Sequence, residues 1–214
     1  RDDGDAEDEG DTEGEGETAT RTLTIAITGR PNAGKSTLLN RLLGAERSIT
    51  GPEAGITRDA VAAEWIWEGR TIRLIDTAGL RRKAKVAADL EKLSVAAAID
   101  EIKMVEVVIL VIDAAVPFET QDLQIADLVE REGRAMVVAV NKWDLVEDKA
   151  LLLKTLKARV DELLPQWKGV PIVAISALSG EGVDRLMPAI LKQHAIWNKR
   201  ISTHRLNEWL SMMI

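Results

Sequence analysis

The sequence contains no cysteine, no long apolar run and no signal-peptide pattern. Without cysteine there is no disulfide framework and no thiolate metal site, and a reducing cytoplasm is the expected setting. No stretch approaches the roughly 20 apolar residues of a membrane-spanning helix. The chain opens on Arg1 rather than Met, so it is expected to be a piece of something longer or a processed form. Its first 18 residues, RDDGDAEDEGDTEGEGET, lack any aliphatic side chain larger than alanine. Such a segment cannot bury apolar surface, and residues 1–20 are read as a disordered acidic linker or tail. It is either a solvated linker or a docking segment for a basic partner.

The 214 residues, 46% hydrophobic and 29% charged, have the profile of a soluble globular chain long enough for a sizeable core. The net charge of -7 misleads, because residues 1–18 hold ten acids and one arginine. The remainder has 27 bases and 25 acids and is nearly neutral, so charge gives no sign of nucleic acid.

From Thr22 the pattern changes. TLTIAITG is a β-prone apolar run ending at glycine, a buried strand. KSTLLNRLLG places Leu38, Leu39, Leu42 and Leu43 at helical spacing, with Gly44 as the stop. AAEWIWEGRTIRLIDTAG reads as an antiparallel hairpin turning at Glu68-Gly69. Trp65 and Trp67 share one face of its first strand, and Ile66 the other. Then come a helix (ADLEKLSVAAAIDEIKMV), a strand (VVILVIDA), a helix (TQDLQIADLVEREG), a strand (AMVVAVNKWD), a helix (KALLLKTLKARVDELL), a strand (VPIVAIS) and a helix (EGVDRLMPAILKQHAIWNKR). Strands alternating with helices predict a three-layer α/β/α fold, a sheet covered by helices on both faces. The sheet has about six mostly parallel strands and one antiparallel edge strand. One such domain covers residues 21–200. Residues 201–214 are expected to start a truncated following domain; within them STHRLNEWLSMMI reads as a new amphipathic helix with Ser202 or Thr203 as cap. His194 and His204 have no partners at metal spacing and read as surface or packing residues.

Gly29-x-x-x-x-Gly34-Lys35-Ser36, within GRPNAGKS, follows a strand and opens a helix. That is the setting in which this spacing holds phosphate. Glycines let the backbone wrap so that successive N–H groups, here from Gly29 through Asn32, Ala33, Gly34, Lys35, Ser36 and Thr37, point at phosphate oxygens. The helix adds the positive end of its dipole. Lys35 reaches the β- and γ-phosphates, and the Ser36 hydroxyl ligates magnesium. Asp76, ending the strand TIRLID, is read as a second magnesium residue, acting through water. Gly79 offers a backbone N–H to the γ-phosphate. Thr57, in GITRDA, is the candidate hydroxyl that closes over magnesium, with Thr50 as the alternative.

The base is read from NKWD, Asn141 to Asp144, after the strand AMVVAV. Open α/β sheets bind ligands at the carboxyl ends of their strands. Asp144 accepts from the ring N–H and exocyclic amine of guanine; adenine offers neither donor. Hydrogen bonds to a charged group are worth roughly 1.5–3 kcal/mol each, so their loss discriminates steeply. Asn141 is expected to tie this segment to the phosphate loop, and the Lys142 stem to lie over the ring. SALSG, with Ser176, Ala177 and Leu178, is expected to aim a backbone N–H at the guanine carbonyl.

Together these motifs resemble the translation-factor-related GTPases. More finely, the chain resembles the second GTPase domain of the EngA (Der) family of ribosome-assembly GTPases. The stretches that carry this are GRPNAGKSTLLNRLLG, GITRDA, DTAGLRRKAKV, EKLSV, VVILVIDA, QDLQIADL, GRAMVVAVNKWDLV, PIVAISALSGEGVDRL and ISTHRLNEWL, spanning about residues 21 to 210. The resemblance implies GTP and GDP as ligands and the large ribosomal subunit and its RNA as partners of the whole protein. It also implies an acidic linker from a first GTPase domain and an RNA-binding KH-like domain after the second, both neighbours being outside this sequence.

Leu80 stands where small signalling GTPases carry a water-orienting glutamine. The resemblance implies a potassium ion instead, held partly by Asn32, offsetting charge near the β/γ bridge. The alternative for Asn32 is a loop residue bonded only to backbone. Arg81, Arg82, Lys83 and Lys85 form either a solvated face or a nucleotide-dependent switch touching RNA or a neighbouring domain. An internal arginine finger is a third, weaker reading of them. The leading expectation is a GTP-hydrolysing switch whose catalytic residues are Lys35, Thr57, Gly79 and Asn32. The alternative is a non-catalytic, nucleotide-dependent docking module.

Overall fold

A computed structural model of the chain describes residues 22–45, 61–75, 102–199 and 202–213. The elements are β1 (Leu23–Thr28), α1 (Lys35–Ala45), β2 (Val61–Trp67), β3 (Arg70–Ile75) and β4 (Val107–Asp113), then α2 (Thr120–Arg131), β5 (Ala135–Asn141), α3 (Lys149–Leu163), β6 (Ile172–Ala174), α4 (Leu186–Trp197) and α5 (Thr203–Met213). The six strands form one sheet in the order β2-β3-β1-β4-β5-β6. All neighbours are parallel except β2 and β3. That pair turns at Glu68 and Gly69, whose φ values of 47° and 81° suit the twist of a tight hairpin.

Alternation along the central strands builds the layers. Val107, Ile109 and Val111 of β4 face a core shared with Leu38 and Leu42 of α1 and Leu186 and Ile190 of α4. Val108, Leu110 and Ile112 face the opposite core, with Ala126 and Val129 of α2 and Leu156 and Val160 of α3. β4 and β5 are therefore apolar on both faces, as a strand covered by helices on both sides must be. Trp65 packs into the first core, and Ile66 is exposed, as the alternation predicts.

Several boundaries differ from the sequence reading. α1 runs one residue past Gly44, to Ala45. β6 is only three residues long, against the seven of VPIVAIS. The last long helix is preceded by a separate 3-10 turn, Val183–Arg185, and starts at Leu186. Gly182 explains the break: its φ is +74°, and a Cβ there would lie 2.3 Å from the carbonyl oxygen of Ala174. α5 forms as expected, and Leu206 N–H donates to Ser202 O at 3.1 Å. The helix expected over ADLEKLSVAAAIDEIKMV lies mostly outside the described residues. No helix among the described residues is long and apolar enough to cross a membrane.

Candidate functional site

The loop from Gly29 to Gly34 leaves the end of β1 and folds against the ends of β4 and β5. Gly29 has φ +141°, and a Cβ there would lie 2.2 Å from Val111 O. Gly34 has φ +96°, and its Cβ would lie 2.1 Å from Asn141 Nδ2. Real Cβ atoms do not approach other atoms that closely, and both φ values suit only glycine. Asn32 between them sits at φ 62° and is exposed. Ala33 is buried, while Ser36 and Thr37 open α1 with exposed side chains. The loop is thus pressed onto the sheet on one side and turns its helix-opening hydroxyls to solvent on the other. Lys35 Nζ donates to Gly29 O at 2.7 Å and to Arg30 O at 2.6 Å, laying its ammonium over the loop's own carbonyls.

Asn141, the last residue of β5, is buried and uses both ends of its amide. Nδ2 donates to Ala33 O at 2.8 Å, and Oδ1 accepts from Ala177 N–H at 2.9 Å. One side chain therefore fixes the phosphate loop, the NKWD segment and the SALSG segment together. Ala177 N–H is spent on that bond, and Leu178, the next residue, is exposed. Ser176 is buried, and its Oγ accepts from Ser179 N–H at 3.1 Å, closing the turn.

Beyond Asn141 the chain enters a left-handed residue, Lys142 at φ 64°, and then a 3-10 turn from Trp143 to Leu145. Trp143 is buried and its N–H donates to Ile175 O at 3.0 Å, so Asp144 is held on a firm turn with its side chain exposed. Lys142 Nζ lies 2.5 Å from Asp113 Oδ2, at the end of β4. Burial opposes ionisation of Asp113, but the Lys142 hydrogen bond, the Ala115 N–H and the Lys142 charge outweigh it and hold the carboxyl below its ordinary range.

Two arginines close the site, and the sequence reading missed both. Arg41 of α1 donates from Nε to Ala177 O at 3.2 Å and from Nη2 to Leu178 O, gripping the SALSG turn. Beside it a groove of about 430 Å³ is lined by Thr37, Asn40, Arg41, Gly44, Ala177 and Leu178. Arg30, inside the phosphate loop, donates from Nε to both oxygens of Asp122 at 3.0 Å, from Nη1 to Glu119, and from Nη2 to Val116 O at 2.6 Å. Asp122 is fully buried, and Glu119 N–H also donates to it at 3.2 Å. Burial raises the Asp122 carboxyl above its ordinary range, against the pull of Arg30. A larger depression of about 900 Å³, lined among others by Pro31, Phe118 and Arg159, flanks this contact rather than the exposed hydroxyls of α1. Contacts 92 and 136 residues apart leave no local signal in a single sequence.

Thr50, Thr57, Asp76, Gly79, Leu80 and the basic run from Arg81 to Lys85 lie outside the described residues. So the structure brings together Gly29 to Thr37, Asn141 to Asp144 and Ser176 to Leu178. Among the described residues no cluster of three or more acids or histidines could hold a metal by itself. His194 is buried, 3.4 Å from Glu106 Oε1 and 3.3 Å from an Arg70 guanidinium nitrogen, in keeping with a packing role.

A family model described as 50S ribosome-binding GTPase matches residues 24–142. GTPase Der of Brucella melitensis is 57% identical over 210 residues, which are 98% of this chain and 44% of that protein. GTPase Der of Rhizobium johnstonii is 59% identical over 191 residues, 89% of this chain and 40% of that protein. The chain thus spans less than half the length of these curated relatives. Among solved structures, an Aquifex aeolicus Era variant bound to GDP and aluminium fluoride superposes with a TM-score of 0.60 at 30% identity, over 80% of this chain and 56% of that one. Era bound to MgGDPNP and a segment of 16S ribosomal RNA gives 0.61 at 28%, over 81% and 57%.

Proposed function

The chain belongs to the 50S ribosome-binding GTPase family, and from that premise we propose that it is a guanine-nucleotide switch that binds GTP and GDP and hydrolyses GTP. One observation carries this reading most: Asn141 joins the phosphate loop to both segments read as base-recognising, through its bonds to Ala33 and Ala177. A ligand spanning the site would be a purine nucleotide with its phosphates on Gly29 to Thr37 and its base beside Asp144.

The roles follow from chemistry. Loop N–H groups and the α1 dipole receive the phosphates. Lys35, resting on Gly29 O and Arg30 O, keeps a third ammonium hydrogen for the β- and γ-oxygens. Asp144, on its fixed turn, accepts the two guanine donors. Lys142, tied to Asp113, carries its stem across the base. The groove beside Arg41 receives the sugar and base edge, with Leu178 as an apolar wall. Water attacks the γ-phosphorus in line, and fixed donors stabilise the spreading charge. Ser36 fits a magnesium site, because its hydroxyl is a hard oxygen donor exposed at the mouth of the loop. Asp76 and Thr57 would complete that site, and the ion would neutralise charge between the β- and γ-phosphates. Asn32, exposed at φ 62°, offers an amide oxygen suited to potassium. Gly79 would supply a γ-phosphate N–H.

The relatives are called GTPases, which favours turnover over the non-catalytic alternative. A ribosomal partner for the longer protein is supported by the family description and by Era's RNA complex, and the cytoplasm is the setting proposed for it. The neighbouring GTPase and KH-like domains are proposed for the part of the relatives that this chain does not span. The test is nucleotide selectivity. Asp144→Asn should shift preference from guanine to xanthine nucleotides in fluorescent titrations, and Lys35→Ala should abolish tight GTP binding. A variant at residue 144 as guanine-selective as the parent overturns the base assignment. Turnover compared in potassium and in sodium tests Asn32, and equal rates overturn that role.

A further inference from the structure

Arg30 occupies one of the four positions that the phosphate-loop pattern leaves open, yet all three of its guanidinium nitrogens are engaged. Nε meets both oxygens of the fully buried Asp122, Nη1 meets Glu119, and Nη2 meets Val116 O. The receiving segment is itself firmly held. Phe118 is buried at φ 56°, and Arg159 of α3 stacks over its ring at 5.9 Å and donates to Pro117 O at 3.0 Å. Asp122 and Glu119 also form the reciprocal cap of α2. At the backbone, the carbonyl of the same Arg30 accepts from Lys35 Nζ.

The loop therefore has two independent anchors. Asn141 holds its second half, at Ala33. Arg30 holds its first half, where Lys35 rests. We infer that Arg30 is a positioning residue for phosphoryl transfer, latching the first half of the phosphate loop, and through it the phosphate lysine, onto the cap of α2. The inference rests on the nucleotide reading above. The second half of the loop and α1 carry the diphosphate contacts and stay fixed by Asn141. Loss of the latch therefore misplaces the groups that act on the γ-phosphate more than those that hold GDP.

The experiment compares the parent with Arg30→Met and with the pair Arg30→Met/Asp122→Leu. Readouts are GDP affinity, single-turnover GTP hydrolysis and thermal unfolding. Arg30→Met strands a buried carboxylate and should lower the melting temperature; the pair removes that charge and should recover most of it. The latch predicts that both lower the hydrolysis rate by about tenfold or more, since small misplacements are that costly. GDP affinity should change by less than about threefold, a split expected when only transition-state contacts are lost. A rate that returns together with stability in the pair overturns the inference, as does a parental rate in folded Arg30→Met. A parent chain that binds no GDP overturns the nucleotide reading instead, and the latch falls with it.

Discussion

A methyl group added at Gly34 would collide with the amide of Asn141, and the backbone there already lies at φ +96°. Gly34→Ala is therefore expected to move either the loop or Asn141, and both destroy the phosphate cradle. Loss of measurable GDP binding in a chain that still shows native circular dichroism is the expected result. Asn141→Ala acts from the other side. It leaves Ala33 O and Ala177 N–H without partners, each costing about 1–3 kcal/mol when buried. A fall of several degrees in melting temperature, with loss of guanine selectivity, should follow. Asp113 gives a pH test. Its folded carboxyl titrates below the ordinary 3.8, so the stability it contributes is complete above about pH 4 and is lost as pH falls through the folded value. In Lys142→Met, denaturant unfolding should show a shallower acid-side loss than in the parent. At this scale the sequence was legible where spacing encodes backbone geometry. Gly29 and Gly34 could be named in advance from the spacing of the loop, and Asn141 from the NKWD stretch that follows its strand. Arg30, Arg41 and Asp122 could not, because their meaning lies in partners far along the chain.

At the scale of elements, packing decides which pieces the fold needs. β4 and β5 read as buried strands because unbroken apolar runs have no other stable place, and their full ladder is present. β6 was read too long because VPIVAIS continues the apolar run, while the ladder to β5 covers only Val138 to Val140. Past Ala174 the chain turns aside, so that Ile175 O can receive Trp143 N–H and Ser176 can build the base-side turn. Tertiary hydrogen bonds, not propensity, end that strand. α5 is the opposite case. Leu206, Trp209, Leu210 and Met213 lie on one side of it, yet all are exposed. Removing residues 202–214 therefore takes away little buried surface. The truncated chain is expected to keep its melting temperature within about 2 °C of the parent, because exposed changes are worth about half a kcal/mol or less. A larger fall would mean that α5 packs on the body in solution.

For the molecule as a whole, the ligand itself is part of the stability argument. Three segments meet at the site from distant places in the chain: Gly29 to Thr37 after β1, Asn141 to Asp144 after β5, and Ser176 to Leu178 after β6. A nucleotide touching all three ties the two sides of the sheet across the boundary between β1 and β4, where the strand order reverses direction. Such a ligand binds the folded chain and not the unfolded one. At a concentration of about 100 times its dissociation constant it adds about 2.7 kcal/mol. For a domain of this size each kcal/mol moves the melting temperature by about 2–4 °C, so GDP with magnesium should raise it by roughly 5–11 °C. ATP at the same concentration should leave it nearly unchanged, since Asp144 would face adenine unpaired. Scanning both nucleotides with Asp144→Asn adds the decisive arm: GDP should lose most of its shift and xanthosine diphosphate should gain one. Equal shifts from GDP and ATP in the parent would mean that the site reads phosphate alone, and Asp144 would lose its role.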